Sequence, residues 1–317
     1  MTVTRRSFMK SGIGLAVGCL ANQSDAPAQN KDRLAIVDCH THFYDPTRPE
    51  GIPWPAKDDD VLYRTVLPKH FLEQAAPLGV TKTVVIEASP RVEDNAWLLE
   101  LAAANRSVVG VVGHLEPGQS DFAKNLARFA ANPVFRGIRI GHDGLRAGLD
   151  KPEYIADLKR LAERDLALDV NGGPATPADV ARLAEKLPEL RIVINHLANL
   201  QLDGAAPPKE WSEGMQAAAR RPRVFCKVSA LVELVKRKPG DKGRVPLDVA
   251  FYRPVLDAMW NIFGDDRLIY GSDWPVSDHV ATYKEAFAIS DQYMKGRGAA
   301  AAEKFFSKNS QVAYKYP

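Results

Sequence analysis

The sequence predicts an α/β protein built as a (β/α)8 barrel, the TIM-barrel class of fold. From residue 34 onward, short runs rich in β-forming residues alternate with helical stretches, and eight such runs are present. The runs are apolar almost throughout, which is typical of parallel strands that are covered on both faces. Eight strands separated by helices over this length fit a closed barrel.

The candidate strands share this apolar character and lie at 34–38, 83–87, 108–112, 137–140, 167–170, 191–195, 224–228 and 267–270. Between them, the stretches 94–105 and 177–187 carry apolar residues at helical spacings, and Pro177 suits a first helical turn. An open doubly wound sheet is the alternative architecture. It would need a glycine-rich phosphate-binding turn after the first strand, and the sequence has none at that place.

The composition is that of an ordinary globular protein, with 45% hydrophobic and 26% charged residues. The formal net charge of +3 is too small to indicate a nucleic acid or a membrane surface as partner. We therefore expect a small-molecule substrate, and the sequence sets no oligomeric state. Cys39 and Cys226 fall at or within predicted strands, where buried thiols are expected rather than a disulfide.

The first 28 residues have the features of a twin-arginine signal peptide. Arg5 and Arg6 precede a short apolar run at 13–20 and then Ala26-Pro27-Ala28, which has the form of a signal-peptidase site. The apolar run is far shorter than the roughly 20 residues that a membrane-spanning helix needs. We therefore predict a signal peptide at 1–28 without a membrane span.

Removal of this segment would leave a single barrel domain at 29–317, exported to the periplasm or another extracytoplasmic compartment. A lipoprotein acylated at Cys19 is the alternative, because the residues before Cys19 resemble a loose lipobox. Twin-arginine export carries folded proteins, many of which acquire a metal or cofactor before transport.

Two histidines close the first predicted strand. His40 and His42 stand two residues apart on an extended segment, so their side chains point to the same side, which at the mouth of a barrel is its axis. Asp273 follows the last strand, which lies beside the first once the barrel closes, and His196 follows the apolar run of the sixth. We predict that these four side chains converge on one site.

The motifs at these positions resemble those of a known family. His40-Thr41-His42, Asn195-His196-Leu197 and Gly271-Ser272-Asp273-Trp274-Pro275 are similar to motifs of the amidohydrolase superfamily. Within it they resemble the lactonase branch, which includes 2-pyrone-4,6-dicarboxylate lactonase and L-fuconolactonase. The resemblance runs from about residue 34 to 310. It departs from the branch at Asn195, where an Asp is usual, and at His114, where a Trp is common.

The resemblance implies hydrolysis of a carbonyl compound, and the roles follow from what that reaction needs. Asp273 is predicted to be the general base that activates water. His40, His42 and His196 are predicted to polarise the carbonyl group, directly or through a metal.

Three further residues near strand ends are predicted to bind substrate: Arg139, Lys227 and His114. Arg139 is placed to hold a carboxylate or a hydroxyl group. A structural ion pair is the alternative role for Arg139, and the side to which Lys227 points stays open.

The sequence does not decide whether the site holds a metal ion. Mononuclear members of the superfamily use the first-strand histidines, a fifth-strand histidine and the last-strand aspartate, but here the fifth strand ends in Asn171-Gly172-Gly173. The lysine that bridges two metals in binuclear members also has no counterpart, so a binuclear site is not expected. His40, His42 and Asp273 are an acceptable ligand set for one Zn²⁺. The lactonase branch also works without a metal, so both states stay open.

The predicted function is hydrolysis of a carbonyl ester, namely a lactone of a sugar acid or of a dicarboxylic acid, by general-base activation of water. Two alternatives stay open. One is a zinc-dependent decarboxylase or hydratase of an unsaturated acid on the same barrel. The other is a non-catalytic exported binding barrel.

Replacement of both Arg5 and Arg6 by lysine is expected to leave the protein in the cytoplasm, because the transport machinery recognises the arginine pair. Cell fractionation and immunodetection of the variant beside the unmodified chain would measure this. Export of the variant at the unmodified level would contradict the twin-arginine prediction.

Overall fold

The computed structural model describes residues 36–238, 240 and 243–316, and the predicted signal segment at 1–28 lies outside this part of the chain. Within it, eight parallel strands follow one another in chain order around one sheet. Past the last strand, the backbone N–H of His42 donates to the carbonyl oxygen of Trp274 at 2.9 Å, and that of Asp273 donates to the carbonyl oxygen of His40 at 2.9 Å. The fold is therefore the (β/α)8 barrel that the sequence predicts.

The strands are short and nearly all of their residues are buried. They are β1 (Ile36–Thr41), β2 (Val80–Ile86), β3 (Val108–Gly113), β4 (Phe135–Gly141), β5 (Ala167–Asn171), β6 (Arg191–Ile194), β7 (Val224–Val228) and β8 (Leu268–Tyr270). β1 extends beyond its predicted end because Thr41 pairs with Val85 and its hydroxyl group contacts that of Thr83 at 2.7 Å. His40 therefore lies within the strand rather than after it.

Helices surround the sheet. They are α1 (Pro68–Ala75), α2 (Asp94–Ala104), α3 (Phe122–Ala130), α4 (His142–Gly148), α5 (Pro152–Glu163), α6 (Thr176–Lys186), α7 (Lys209–Ala219), α8 (Val249–Phe263), α9 (Tyr283–Lys295), α10 (Ala299–Glu303) and α11 (Asn309–Tyr314). α2 and α6 correspond to the two helices predicted from apolar spacing, and Pro177 lies in the first turn of α6. Among the described helices, none is both long and apolar enough to cross a membrane.

Alternate strand positions fill the interior of the barrel. The interior positions of β5, for example, are Ala167 at the amino end of the strand, Asp169 in its middle and Asn171 at the mouth of the barrel. The intervening positions pack outward against the helices. Cys39 lies in the interior cluster and Cys226 in the outer one, and both are free buried thiols, as predicted.

The segment around α11 closes the amino end of the barrel. Ala313 and Tyr314 pack in the same cluster as the interior strand residues. Arg191, at the start of β6, donates from Nε to the carbonyl oxygen of Ala313 at 2.6 Å, and Arg136 of β4 donates to the carbonyl oxygen of Lys315 at 3.1 Å. These contacts hold Tyr314 so that its side chain points along the barrel interior toward Asp169.

Gly137→Ala is expected to destabilise the barrel by about 1–3 kcal/mol, the usual cost of overpacking a core. A Cβ atom at this position of β4 would lie 2.4 Å from the carbonyl oxygen of Ala167, so β4 and β5 would have to separate. Chemical denaturation measures the change. The control is Gly144→Ala in α4, where a Cβ atom meets nothing within 4 Å and helix propensity favours alanine. Equal loss of stability in both variants would contradict the packing argument.

Candidate active site

A cavity of about 510 Å³ opens at the carboxyl ends of the strands. Asp273, His42 and His196 line it together with Trp54, which belongs to the long loop after β1. His40 lies directly behind these residues and is fully buried. The structure thus brings together the four residues that the sequence places at the mouth of the barrel.

Asp273 is the centre of this cluster. Its Oδ1 lies 3.4 Å from Nε2 of His42, 3.5 Å from Nε2 of His40 and 3.8 Å from Nε2 of His196. Burial alone would raise the pKa of Asp273, but the adjacent imidazoles and Arg139 outweigh burial and hold the pKa below its usual value. Asp273 is therefore ionised at neutral pH and able to accept a proton.

The backbone is strained at both Asp273 and His196. The φ angle is 67° at Asp273 and lies between 46° and 53° at the four residues from His196 to Asn199. Left-handed conformations cost about 1–2 kcal/mol per non-glycine residue. A hydrogen bond of 2.9 Å from Nε1 of Trp211 to the carbonyl oxygen of Leu197 helps to hold the second turn. Strain of this kind clusters at functional sites, where the surrounding structure enforces it.

Hydrogen bonds on the far side of each ring orient the imidazoles. Nδ1 of His42 lies 3.0 Å from the carbonyl oxygen of Ile86, which only accepts, so this nitrogen carries the proton. Nδ1 of His196 lies 2.9 Å from Oγ of Ser229. Burial lowers the pKa of His196 to about 4 and that of His40 well below its usual value, so both rings are neutral at neutral pH.

Arg139 lines the cavity, and its guanidinium group forms an ion pair, which was the alternative role predicted for it. Nε donates to Oε1 of Glu87 at 2.8 Å, and one terminal nitrogen donates to the carbonyl oxygen of the same residue at 2.7 Å. Among the lining residues that the structure describes, Arg139 is the sole arginine or lysine. The cavity therefore presents a neutralised cation rather than an unpaired one.

The other two predicted substrate-binding residues occupy different surroundings. His114 lines the cavity, and its Nε2 lies 3.4 Å from Oε1 of Glu116. Lys227 is fully buried beneath the site, where its Nζ lies 2.6 Å from Oδ2 of Asp169 and 3.3 Å from Nδ1 of His40. This placement differs from the direct substrate contact that the sequence predicts, because the ammonium group reaches His40 instead.

Sequence reasoning missed three acidic residues around the site. Glu87 was hidden by its pairing with Arg139, 52 positions away. Asp169 stands alone as a charge in the apolar run of β5, a signal that could have identified it. Glu233, in the loop after β7, has both carboxyl oxygens buried without a hydrogen-bond partner in the described part of the chain. Burial raises the pKa of Glu233 well above its usual value, and the charge of Asp273 adds to this.

The geometry around Asp273 fits a single metal ion. One ligand atom each from His40, His42 and Asp273 lie within 4.8 Å of one another. Zinc bonds of about 2.0–2.2 Å in tetrahedral geometry separate ligand atoms by roughly 3.3 Å, close to the distances at Asp273. Nε2 of His40 is also buried without a hydrogen-bond partner among the described residues. β5 ends at Asn171, so the strand does not supply the histidine that the resemblance to mononuclear members implies at its end.

Comparison with known proteins gives a consistent result. A family model described as amidohydrolase matches residues 37–315. The chain is 32% identical over 261 residues to an L-fucono-1,5-lactonase of Burkholderia ambifaria, with 81% of this chain and 87% of that protein covered. It is 28% identical over 274 residues to an L-fucono-1,5-lactonase of Burkholderia multivorans, with 84% and 90% covered.

Solved structures show the same similarity. A crystal structure of an amidohydrolase from Burkholderia multivorans with bound zinc superposes with a TM-score of 0.77 at 25% sequence identity. The match covers 89% of this chain and 99% of that one. The similarity thus extends over the whole barrel and not over the site alone.

Proposed function

We propose that this chain, which belongs to the amidohydrolase family, is a lactonase that opens the ring of a neutral sugar-acid lactone. The observation that carries the proposal is the ionised Asp273 surrounded by three imidazoles at a cavity large enough for a small molecule. The lactonases of known activity that the chain resembles, at 32% and 28% identity, support the same reaction.

Asp273 acts as the general base in this proposal. Its carboxylate accepts a proton from water while the water oxygen attacks the lactone carbonyl carbon. Imidazole N–H groups stabilise the negative charge that develops on the carbonyl oxygen. The tetrahedral species then collapses, the bond between the carbonyl carbon and the ring oxygen breaks, and Asp273 returns its proton to that oxygen. The product is the open-chain hydroxy acid.

His40, His42 and Asp273 are the residues that would hold a single divalent ion. Such an ion would polarise the carbonyl group and make bound water more acidic. The amidohydrolase of Burkholderia multivorans with bound zinc supports the presence of an ion in a barrel of this kind.

The charges in the cavity favour a neutral lactone over one that carries free carboxylates. Glu87 already neutralises Arg139, so a carboxylate entering the cavity would have to compete with it. Neutral hydrogen-bonding groups instead come from Ser89, Asn171 and Asn199, which suit the hydroxyl groups of a sugar acid. The same charge balance weighs against decarboxylation, since a decarboxylase must bind an acid.

Export is the second part of the proposal. The twin-arginine motif and the Ala26-Pro27-Ala28 site support a periplasmic or other extracytoplasmic location for the enzyme. A lactonase in that compartment would meet its substrate before uptake into the cell.

Asp273→Asn is expected to lower kcat by roughly 10²–10⁴-fold, the usual share of acid–base catalysis, with the fold retained. The amide is nearly isosteric with the carboxylate but cannot accept the proton from water. Turnover of an aldonolactone, followed by proton release, measures the loss, and the thermal midpoint checks the fold. The control is Asp143→Asn, on the exposed surface of α4. Near-normal turnover by Asp273→Asn would rule out the general-base role.

Glu87→Gln is expected to shift the substrate preference toward carboxylated lactones. The substitution frees Arg139 from its carboxylate, so kcat/KM for a lactone dicarboxylate should rise about 10-fold relative to that for a neutral aldonolactone. The matched control is Glu93→Gln, which removes the carboxylate of an exposed pair with Arg128 outside the cavity. An equal change for both substrates in Glu87→Gln would show that the pair does not set specificity.

A further inference from the structure

We infer that Lys227 is a positioning residue for His40: it holds the ring in the tautomer that carries its proton on Nε2, and so it weakens the binding of a divalent ion by His40. The inference concerns the ring nitrogens rather than the identity of the substrate.

Lys227 is an ammonium donor in a fully buried network. Asp169 lies 2.6 Å from its Nζ, and neither side chain has exposed surface. The hydroxyl group of Tyr314 donates to Oδ1 of the same carboxylate at 2.9 Å, so Asp169 accepts from two sides. An ammonium group has three donors and no acceptor. Its remaining contact, at 3.3 Å to Nδ1 of His40, therefore requires that this nitrogen accept.

A neutral imidazole that accepts at Nδ1 carries its proton at Nε2. Nε2 of His40 faces the site, 3.5 Å from Oδ1 of Asp273, and is otherwise without a partner in the described part of the chain. His42 differs in its far nitrogen, since Nδ1 of His42 donates to the carbonyl oxygen of Ile86. Nδ1 of His40 thus faces a donor, the ammonium group of Lys227, whereas Nδ1 of His42 faces an acceptor, a carbonyl oxygen.

This arrangement has a consequence for metal binding. A metal bound at Nε2 of His40 needs the lone pair on that nitrogen, so the proton would have to move to Nδ1 or leave the ring. At Nδ1 the proton would face the ammonium group of Lys227 at 3.3 Å. In proteins that bind metal tightly, the far nitrogen of a ligating histidine faces a carboxylate or a carbonyl oxygen instead. Lys227 therefore favours the N–H donor form of His40 over its metal-bound form.

Removal of both charges is the test, because Lys227→Met alone would leave Asp169 buried and unpaired. We expect the double variant Lys227→Met, Asp169→Asn to bind Zn²⁺ at least about 10-fold more tightly than the wild type, in the range by which the outer partners of metal ligands act. Competition with a chromogenic chelator measures the affinity. Nitrogen-15 NMR of histidine-labelled protein without metal reads the tautomer of His40, assigned by the signal missing in His40→Asn.

The matched control is Tyr314→Phe, which removes a hydrogen bond from Asp169 but leaves Lys227 in contact with His40. Its Zn²⁺ affinity should stay within about 3-fold of wild type, a shift smaller than that caused by loss of an outer partner. Tighter binding by Tyr314→Phe equal to that of the double variant would assign the effect to packing and overturn the inference. Unchanged Zn²⁺ affinity in the double variant would also overturn the inference. A wild-type spectrum that places the proton of His40 on Nδ1 would do the same. The wild-type spectrum decides the tautomer even if the double variant does not fold. Neither measurement uses lactone turnover. Failure of this inference can therefore be distinguished from failure of the lactonase proposal.

Discussion

Two backbone hydrogen bonds between the end of β8 and β1 hold the site in register. Asp273 donates to the carbonyl oxygen of His40, and His42 donates to that of Trp274, each at 2.9 Å. Because Asp273 is joined to the histidine strand through the main chain, the backbone fixes where its short side chain begins relative to the imidazoles. The strained φ angle of Asp273 is the cost of this connection. Asp38 reinforces it, since its carboxylate accepts from the backbone N–H groups of both His40 and Ser272.

Two ion pairs lie inside this barrel, at different heights along its axis. At the mouth, Arg139 is bound to Glu87, and in the middle, Lys227 is bound to Asp169. Barrel interiors are usually packed with branched apolar side chains, and a buried ion pair contributes little net stability compared with such packing. The middle pair is therefore better explained by its contact with His40 than by stability. In the proposed function, the paired charge at the mouth leaves hydrogen bonding, rather than net charge, to select the ligand.

The residues that could be predicted from the sequence obey local rules. His40 and His42 follow from the two-residue period of a strand, and Asp273 follows from the adjacency of the first and last strands in a closed barrel. Lys227 could not be assigned in this way, because its role depends on Asp169, 58 positions away, and on which side of β7 it faces. Tyr314 gives no sequence signal, since nothing near it indicates that α11 closes the barrel.

Closure of the barrel by α11 has a consequence for the order in which the enzyme is made. The interior is completed by Ala313, Tyr314 and Tyr316, yet the ribosome adds them after all eight strands. Domains tend to fold as units during synthesis, but here the floor beneath His40 is missing until this segment emerges. The strands can assemble on the ribosome, whereas the hydroxyl group that supports Asp169 is added only after all of them. The floor beneath His40 is thus put in place after the strands that it supports.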